Sequence, residues 1–258
     1  MSRLVVPTNW RTKPQYGFQV NPFFYGLGLN QVLLAMDTPQ GFINCGKGSL
    51  TGTPISLTTV MTLIGSAKNN NGSGNYMSVG LNNAQVFSRI AVVVADSLAS
   101  NATISDSNNA MSGGAQWLIS TGGEMLLAVA NGATVSTTTG AAIGTVAINV
   151  LGVTNDAAGN VAFFKNGLNI PASAGSSQTY TTGTGTLFAR GDGLQPLTGT
   201  IQVHIDFTQA LPDNLMRSLT LNPTQVFSKF PSRLLTNLPL VQAQMFSTSM
   251  DCVSRVRW

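Results

Sequence analysis

The chain has 258 residues, 43% of them hydrophobic and only 9% charged, with a formal net charge of +4. That apolar content is enough to bury a full core, which excludes a disordered body, and so few charges favour a surface packed against partners. The start "MSRLVVPTNWRTKPQYG" lacks the long apolar stretch of a secretory signal, and no run approaches the ~18 apolar residues of a membrane span, so neither export nor membrane insertion is expected.

Residues 1–45 read as an arm. "PTNW" and "TKPQ" put Pro7 and Pro14 where neither a helix nor a central strand can run, because proline has no N–H to give to a ladder. "NPFFYGLGLN" adds aromatics in an irregular setting. From Leu57 the pattern changes: "TVMTLIGSA" predicts a strand and "NNNGSG" (Asn69 to Gly74) a turn. "NYMSVGL" follows, then "FSRIAVVVA" (Phe87 to Ala95), a β-branched run suited to a strand buried on both faces. "AQWLIS", "EMLLAVA", "TVAINVLGVT" and "NVAFFKN" succeed one another between clusters of Gly, Asn, Ser and Thr. Strand signals at such intervals predict a sandwich or barrel, read here as one antiparallel two-sheet domain over residues 46–228.

"GTIQVHIDF" alternates, with Ile201, Val203, Ile205 and Phe207 on one face and Thr200, Gln202, His204 and Asp206 on the other. That is the pattern of a half-solvated strand. In "ALPDNLMRSLTLNP" a short helix is predicted, with Leu211, Leu215 and Leu219 on one stripe, Pro212 in its first turn and Pro223 ending it. Residues 229–258 form a second arm, apolar, basic and without a clear period.

Charge is unevenly placed. Residues 1–13 hold Arg3, Arg11 and Lys13 with no acid, and residues 217–258 hold Arg217, Lys229, Arg233, Arg255 and Arg257 against Asp251. Between them stand five basic and eight acidic residues, so the three parts sum to +3, −3 and +4. Basic ends can touch nucleic acid, but no tight Lys/Arg cluster occurs, so an acidic protein surface is the expected partner and nucleic acid is not. Cys45 and Cys252 lie too far apart in sequence for a CxxC metal site and read as two free thiols.

"VAFFKNGLNI" (Val161 to Ile170) looks like a strand that turns and returns, with Asn166-Gly167 suited to a two-residue type I′ turn. Its surroundings carry a resemblance. "DAAGNVAFFKNGLNI", the strand "LTGTIQVHIDF", the helix "ALPDNLMRSL" and the closing "NPTQVF" (Asn222 to Phe227) stand in one order. So ordered, the chain resembles the concanavalin A-like, laminin-G-like jelly-roll domains of many tailed-bacteriophage proteins. Asp156, Gly159, Asn166 and Gly167 match the family's hairpin, with Phe164 where Tyr is usual. Asn222 and Pro223 match its closing motif, with Thr224 in place of Trp. The lead-in "KPQYGFQVNPFFYGLGL" is similar to that of phage members. The resemblance implies an all-β, antiparallel two-sheet jelly-roll sandwich with one short helix and extended N- and C-terminal arms. Since this fold hosts lectins, enzymes and scaffolds, it does not by itself assign a role.

The residues offer little chemistry. Glycosidases of the fold use paired carboxylates about 5–5.5 Å apart, whereas this chain has one glutamate, Glu124. His204 is the sole histidine and has no neighbouring Ser or Cys in sequence, so it is read as an ordinary surface or inter-sheet contact. "ISDSNNA" (Ile104 to Ala110), "TNDAAGN" and "RGDG" (Arg190 to Gly193) place Asp and Asn oxygens in loops without the spacing of a calcium loop. No catalytic set, metal or cofactor is therefore expected. For a sugar, the candidate groups are the aromatics Trp117 and Tyr180 with Asp106 and Asn108, Trp117 being favoured as core.

The expectation is a non-enzymatic structural protein of a tailed-phage virion, made in the host cytoplasm. Its terminal arms would dock it on other virion proteins of capsid or tail, through Arg3, Trp10, Arg11, Lys13, Phe246, Arg255, Arg257 and Trp258. The low charge also favours a homo-oligomer. The rival reading is a lectin-like module for host-surface glycan.

Overall fold

The computed structural model describes residues 19–35, 42–44, 57–62, 65–72, 75–81, 84–107, 114–129, 134–136, 143–172 and 185–228. The chain opens with β1 (Gln19–Val20), helix α1 (Pro22–Gly26), β2 (Leu29–Ala35) and β3 (Phe42–Asn44). It continues with β4 (Thr58–Thr62), β5 (Gly65–Asn71), β6 (Met77–Val79), β7 (Phe87–Ser97), β8 (Ala102–Asp106) and β9 (Ala115–Ile119). Then come β10 (Met125–Val129), β11 (Thr134–Ser136), β12 (Asn149–Asn155), β13 (Val161–Lys165), β14 (Leu168–Ile170) and β15 (Gly185–Leu187). The last elements are β16 (Thr198–Phe207), helix α2 (Asp213–Leu221), a 3-10 turn (Pro223–Val226) and β17 (Phe227–Ser228).

Among the described residues these make two main antiparallel sheets. The larger runs β14-β13-β12-β7-β16-β2-β3, with β5 also on β16 and β4 on β5; the smaller runs β11-β10-β9-β8-β15-β6. The expected two-sheet sandwich is what the chain forms.

Two apolar layers hold it together. Between the sheets, Leu33, Ala91, Val93, Leu151, Val153 and Phe163 of the larger sheet meet Met77, Ile104, Trp117, Ile119, Leu127 and Leu187 of the smaller. On the larger sheet's other face, Val32, Ile90, Val92, Phe164, Val203, Ile205 and Phe207 are covered by Phe24 of α1 and by Met216 and Leu219 of α2. The β7 run is thus buried on both faces, as its β-branched stretch predicts. Each large side chain so enclosed is worth about 1.5–3 kcal/mol.

The body reaches further toward the N-terminus than the boundary at residue 46. The segment "NPFFYGLGL" is ordered structure: Asn21 caps α1 by accepting a hydrogen bond from Phe23 N at 3.0 Å, and β2 pairs with β16 inside the larger sheet. Proline at the first helical position fits, since its missing donor has no partner there anyway. Asn69 to Asn71 belong to β5 rather than to a turn, because pairing with Thr198–Thr200 of β16 overrides their turn propensity. "ISDSNNA" likewise begins as strand, with Ile104 to Asp106 in β8.

The half-solvated reading of β16 is corrected. It lies between β7 and β2, and Thr200, Gln202, His204 and Asp206 are all buried. The alternation also breaks: Ile201 pairs with Val93 and Val203 with Val92, so Gln202 is an extra residue, a β-bulge. Ile201 therefore enters the inter-sheet core, whereas Val203, Ile205 and Phe207 face the helices.

Candidate functional site

Three places concentrate groups that could serve a function: the root of the arms, the turns that carry the hairpin and closing motifs, and a polar cluster between the sheets. At the first, Val20 pairs with Phe227 and Gln19 with Ser228, antiparallel. The chain thus enters and leaves the described body at adjacent points. The reason is local. After α2, Asn222 accepts from Thr224 N at 3.2 Å and from Thr224 Oγ1 at 2.6 Å, which starts the 3-10 turn at Pro223 and aims Phe227 back toward β1. The "NP" of the closing motif is a cap followed by a proline at the turn's start. Arg3, Trp10, Arg11, Lys13, Phe246, Arg255, Arg257 and Trp258 lie outside the described residues.

The hairpin of the resemblance is formed as expected. Asn166 and Gly167 have φ of 50° and 85°, the two positive values of a type I′ turn. Asn166 Oδ1 accepts from Val150 N at 2.8 Å, and Gly167 N donates to Thr220 Oγ1 at 3.3 Å, which ties the turn to β12 and α2.

The candidate sugar-binding residues fare differently. Tyr180 and Asn108 lie outside the described residues. Trp117 is fully enclosed in the inter-sheet core and presents no ring face to a sugar. This follows from its strand parity: Trp117 pairs with Ser105 and Leu127 on the inward face of the smaller sheet. Asp106 is also fully buried, and its carboxylate accepts from Gly191 N at 3.3 Å beneath the Arg190–Asp192 loop. In that loop Arg190 Nε donates to Asp192 Oδ1 at 2.9 Å. The hydrogen-bonded pairing, chiefly, holds Asp192 below the usual carboxylate range and raises Arg190. The Arg-Gly-Asp tripeptide is a self-paired turn. Asp156 is similarly a turn former, accepting from Asn160 and Ala158, and its carboxyl is lowered mainly by the Asn160 side chain. Among the described residues no group of three or more His, Cys, Asp or Glu side chains is placed to hold a metal, and no helix there is long and apolar enough to cross a membrane.

The cluster between the sheets is the feature that the pattern of alternation misses. Arg89 of β7 and Asp206 of β16 form an ion pair at 3.3 Å with both side chains fully buried. Arg89 Nη1 reaches across to the smaller sheet, to Ser105 Oγ at 3.5 Å and Ala115 O at 3.4 Å. Its guanidinium also lies 4.5 Å from the Phe87 ring centroid, a cation–π contact. Asn30 Nδ2 of β2 donates to Asp206 Oδ2 at 2.8 Å and to Gly80 O at 3.2 Å, again joining the two sheets. His204 shares this inward face, two residues from Asp206 and paired with Leu33 and Ala91. Its two ring nitrogens have no hydrogen-bond partner among the described residues. Burial, and then the charge of Arg89, push its pKa down to about 3. Only part of this is signalled in the sequence: Arg89 is a charge in the lead-in to the apolar run "IAVVVA", and a buried charge needs a partner, but which residue supplies that partner is not written there.

No family model matches the chain, and no curated protein matches it in sequence. Solved structures match in fold. A sialidase of Trypanosoma rangeli in complex with sialic acid superposes with a TM-score of 0.60 at 12% identity, over 77% of this chain and 33% of the sialidase. The binding domain of Paraclostridial Mosquitocidal Protein 1 gives 0.59 at 10% identity, over 77% of this chain and 52% of that one. Domain 4 of AbnA, a GH43 extracellular arabinanase from Geobacillus stearothermophilus, in complex with arabinotriose, gives 0.54 at 18% identity, over 68% and 88%. The chain thus spans about a third of the sialidase's length. At these identities the likeness is one of fold alone, a β-sandwich.

Proposed function

We propose that the protein is a non-enzymatic structural subunit of a tailed-phage virion, a jelly-roll body docked on capsid or tail proteins by its two terminal arms. The observation that supports this reading is the root of the arms. Because β1 and β17 pair, residues 1–18 and 229–258 start from one point of the body. Residues 1–18 carry Arg3, Arg11 and Lys13, and residues 229–258 carry Lys229, Arg233, Arg255 and Arg257 against Asp251, a net +3 from each. The remainder, with six basic and eight acidic residues, is −2. Two basic, apolar segments rooted side by side make one anchor, suited to an acidic, partly apolar surface. The arms also hold Trp10, Phe246 and Trp258, which supply anchoring area once buried.

Deleting residues 1–18, or 229–258, is expected to leave a folded body by circular dichroism that no longer enters particles or oligomers. Full occupancy of either truncated form in purified particles would refute the anchor. Since exposed charge pairing is screened beyond about 8–10 Å at physiological salt, docking of the intact chain is also expected to weaken as ionic strength rises.

A second reading, a lectin-like module binding host-surface glycan, is favoured by the neighbours whose structures hold sialic acid or arabinotriose. A glycan array with the whole chain tests it: reproducible binding that persists after arm deletion supports the module over the anchor.

A further inference from the structure

We infer that the polar cluster between the two sheets is an acid-sensitive latch: it clamps the sandwich at neutral pH and is forced open when His204 takes up a proton.

The clamp is built from five strands and one loop. Arg89 of β7 binds Asp206 of β16 in the larger sheet and Ser105 and Ala115 of β8 and β9 in the smaller. Asn30 of β2 binds both Asp206 and the Gly80 carbonyl that follows β6. The two sheets are therefore joined by directional bonds on either side of Asp206. Apolar contacts tolerate sliding, whereas hydrogen-bonded charges of this kind do not.

His204 sits inside the clamp. Among the described residues, the elements around it face it with one cation, Arg89 from β7, and one anion, Asp206 on its own strand. From β2 come Gln31 and Leu33, and the smaller sheet contributes Ser105 and Trp117 to the same layer. Asp206 is already engaged by Arg89 and Asn30, so among the described residues no free anion is in place for an imidazolium. Protonation would put a second positive charge beside Arg89 in a layer from which His204, Arg89 and Asp206 are all fully shielded. Burying such an uncompensated charge is costly, and the neutral ring is the form that the closed sandwich holds.

The sign follows. The native ring stays neutral down to about pH 3, whereas the ring in an opened chain protonates near its ordinary 6.5. Between those values the open state binds more protons, so closure weakens as pH falls, by up to about tenfold in the opening equilibrium per pH unit. Above about 6.5 the latch is at full strength.

His204 is the chain's sole histidine, so its imidazole proton signals assign themselves. In the full-length protein, NMR titration of those signals is expected to show no transition near pH 6.5 while the protein stays folded. Melting temperature is then followed from pH 7.5 to pH 4 for the wild type and for His204→Leu and His204→Gln. The wild type is expected to lose stability steeply below pH 6.5, with a shallower slope in both variants, where only carboxylates titrate. A native titration near 6.5, or equal slopes in all three proteins, would overturn the latch. If the variants fail to fold, the wild-type titration still decides.

Discussion

The clearest single-residue dependence lies at the hairpin tip. Gly167 holds φ at 85°, and a Cβ built there would approach Leu221 Cβ to 3.0 Å. Gly167→Val is expected to destabilise the body by about 1–3 kcal/mol, since a β-branched residue resists positive φ. A melting temperature equal to wild type would contradict the turn's role. Gly152 is restrictive for another reason. A Cβ there would meet Thr220 Cγ2 at 2.7 Å and Met216 Cε at 2.9 Å, because α2 lies directly on β12. Gly152→Val should cost a further ~1–3 kcal/mol of overpacking, read as a lower urea midpoint. Neither glycine is distinguished by composition. Asn-Gly is legible as a turn in the sequence, whereas Gly152 is revealed only by the helix that covers it.

At the scale of elements, α2 shows how far a periodicity argument goes. A helix was expected, and the chain has it over Asp213–Leu221, but its buried face is Met216, Leu219 and Thr220, of which Leu219 alone belongs to the expected leucine stripe. Leu211 is buried ahead of the helix, Leu215 is half-buried, and Pro212 is the cap residue, its carbonyl accepting from Leu215 N and Met216 N. Spacing every four residues drifts around a helix of 3.6 residues per turn, so the sheet beneath selects the face. The strands are coupled in turn by the Arg89–Asp206 pair. Arg89→Met should leave the Asp206 carboxylate buried without its cation, at a cost of about 3–5 kcal/mol. Arg89→Met combined with Asp206→Leu is expected to recover much of that loss. Denaturant unfolding of the two single variants and the double variant checks this, and additive losses would contradict it.

For the whole molecule, burial predicts the hierarchy of stability. The backbones of β7 and β16 lie at the centre of the larger sheet, with covered faces on both sides. Their amides are expected to exchange slowest, and those of the exposed 144–148 segment far faster, in a hydrogen-exchange experiment. Rapid exchange in β16 would place the core elsewhere.

What the sequence by itself determined is the class of the molecule. Its β-branched runs, spaced turns and ordered motifs specify an antiparallel sandwich, because side-chain alternation and turn chemistry are local properties of the chain. The face of β16 was not local. "GTIQVHIDF" alternates perfectly, yet the bulge at Gln202 moves Ile201 to the opposite face from Val203, and the neighbours of β16 bury its polar residues as well. Nor could the strand character of Asn69–Asn71 be read, since it comes from pairing with a segment more than a hundred residues away. The inter-sheet cluster was equally hidden: Asn30, Arg89, Ser105, His204 and Asp206 are scattered along the chain, and only the closing of one sheet on the other makes them neighbours. Register and layer packing are long-range choices, fixed by which faces find cover, and that is settled by the tertiary structure alone.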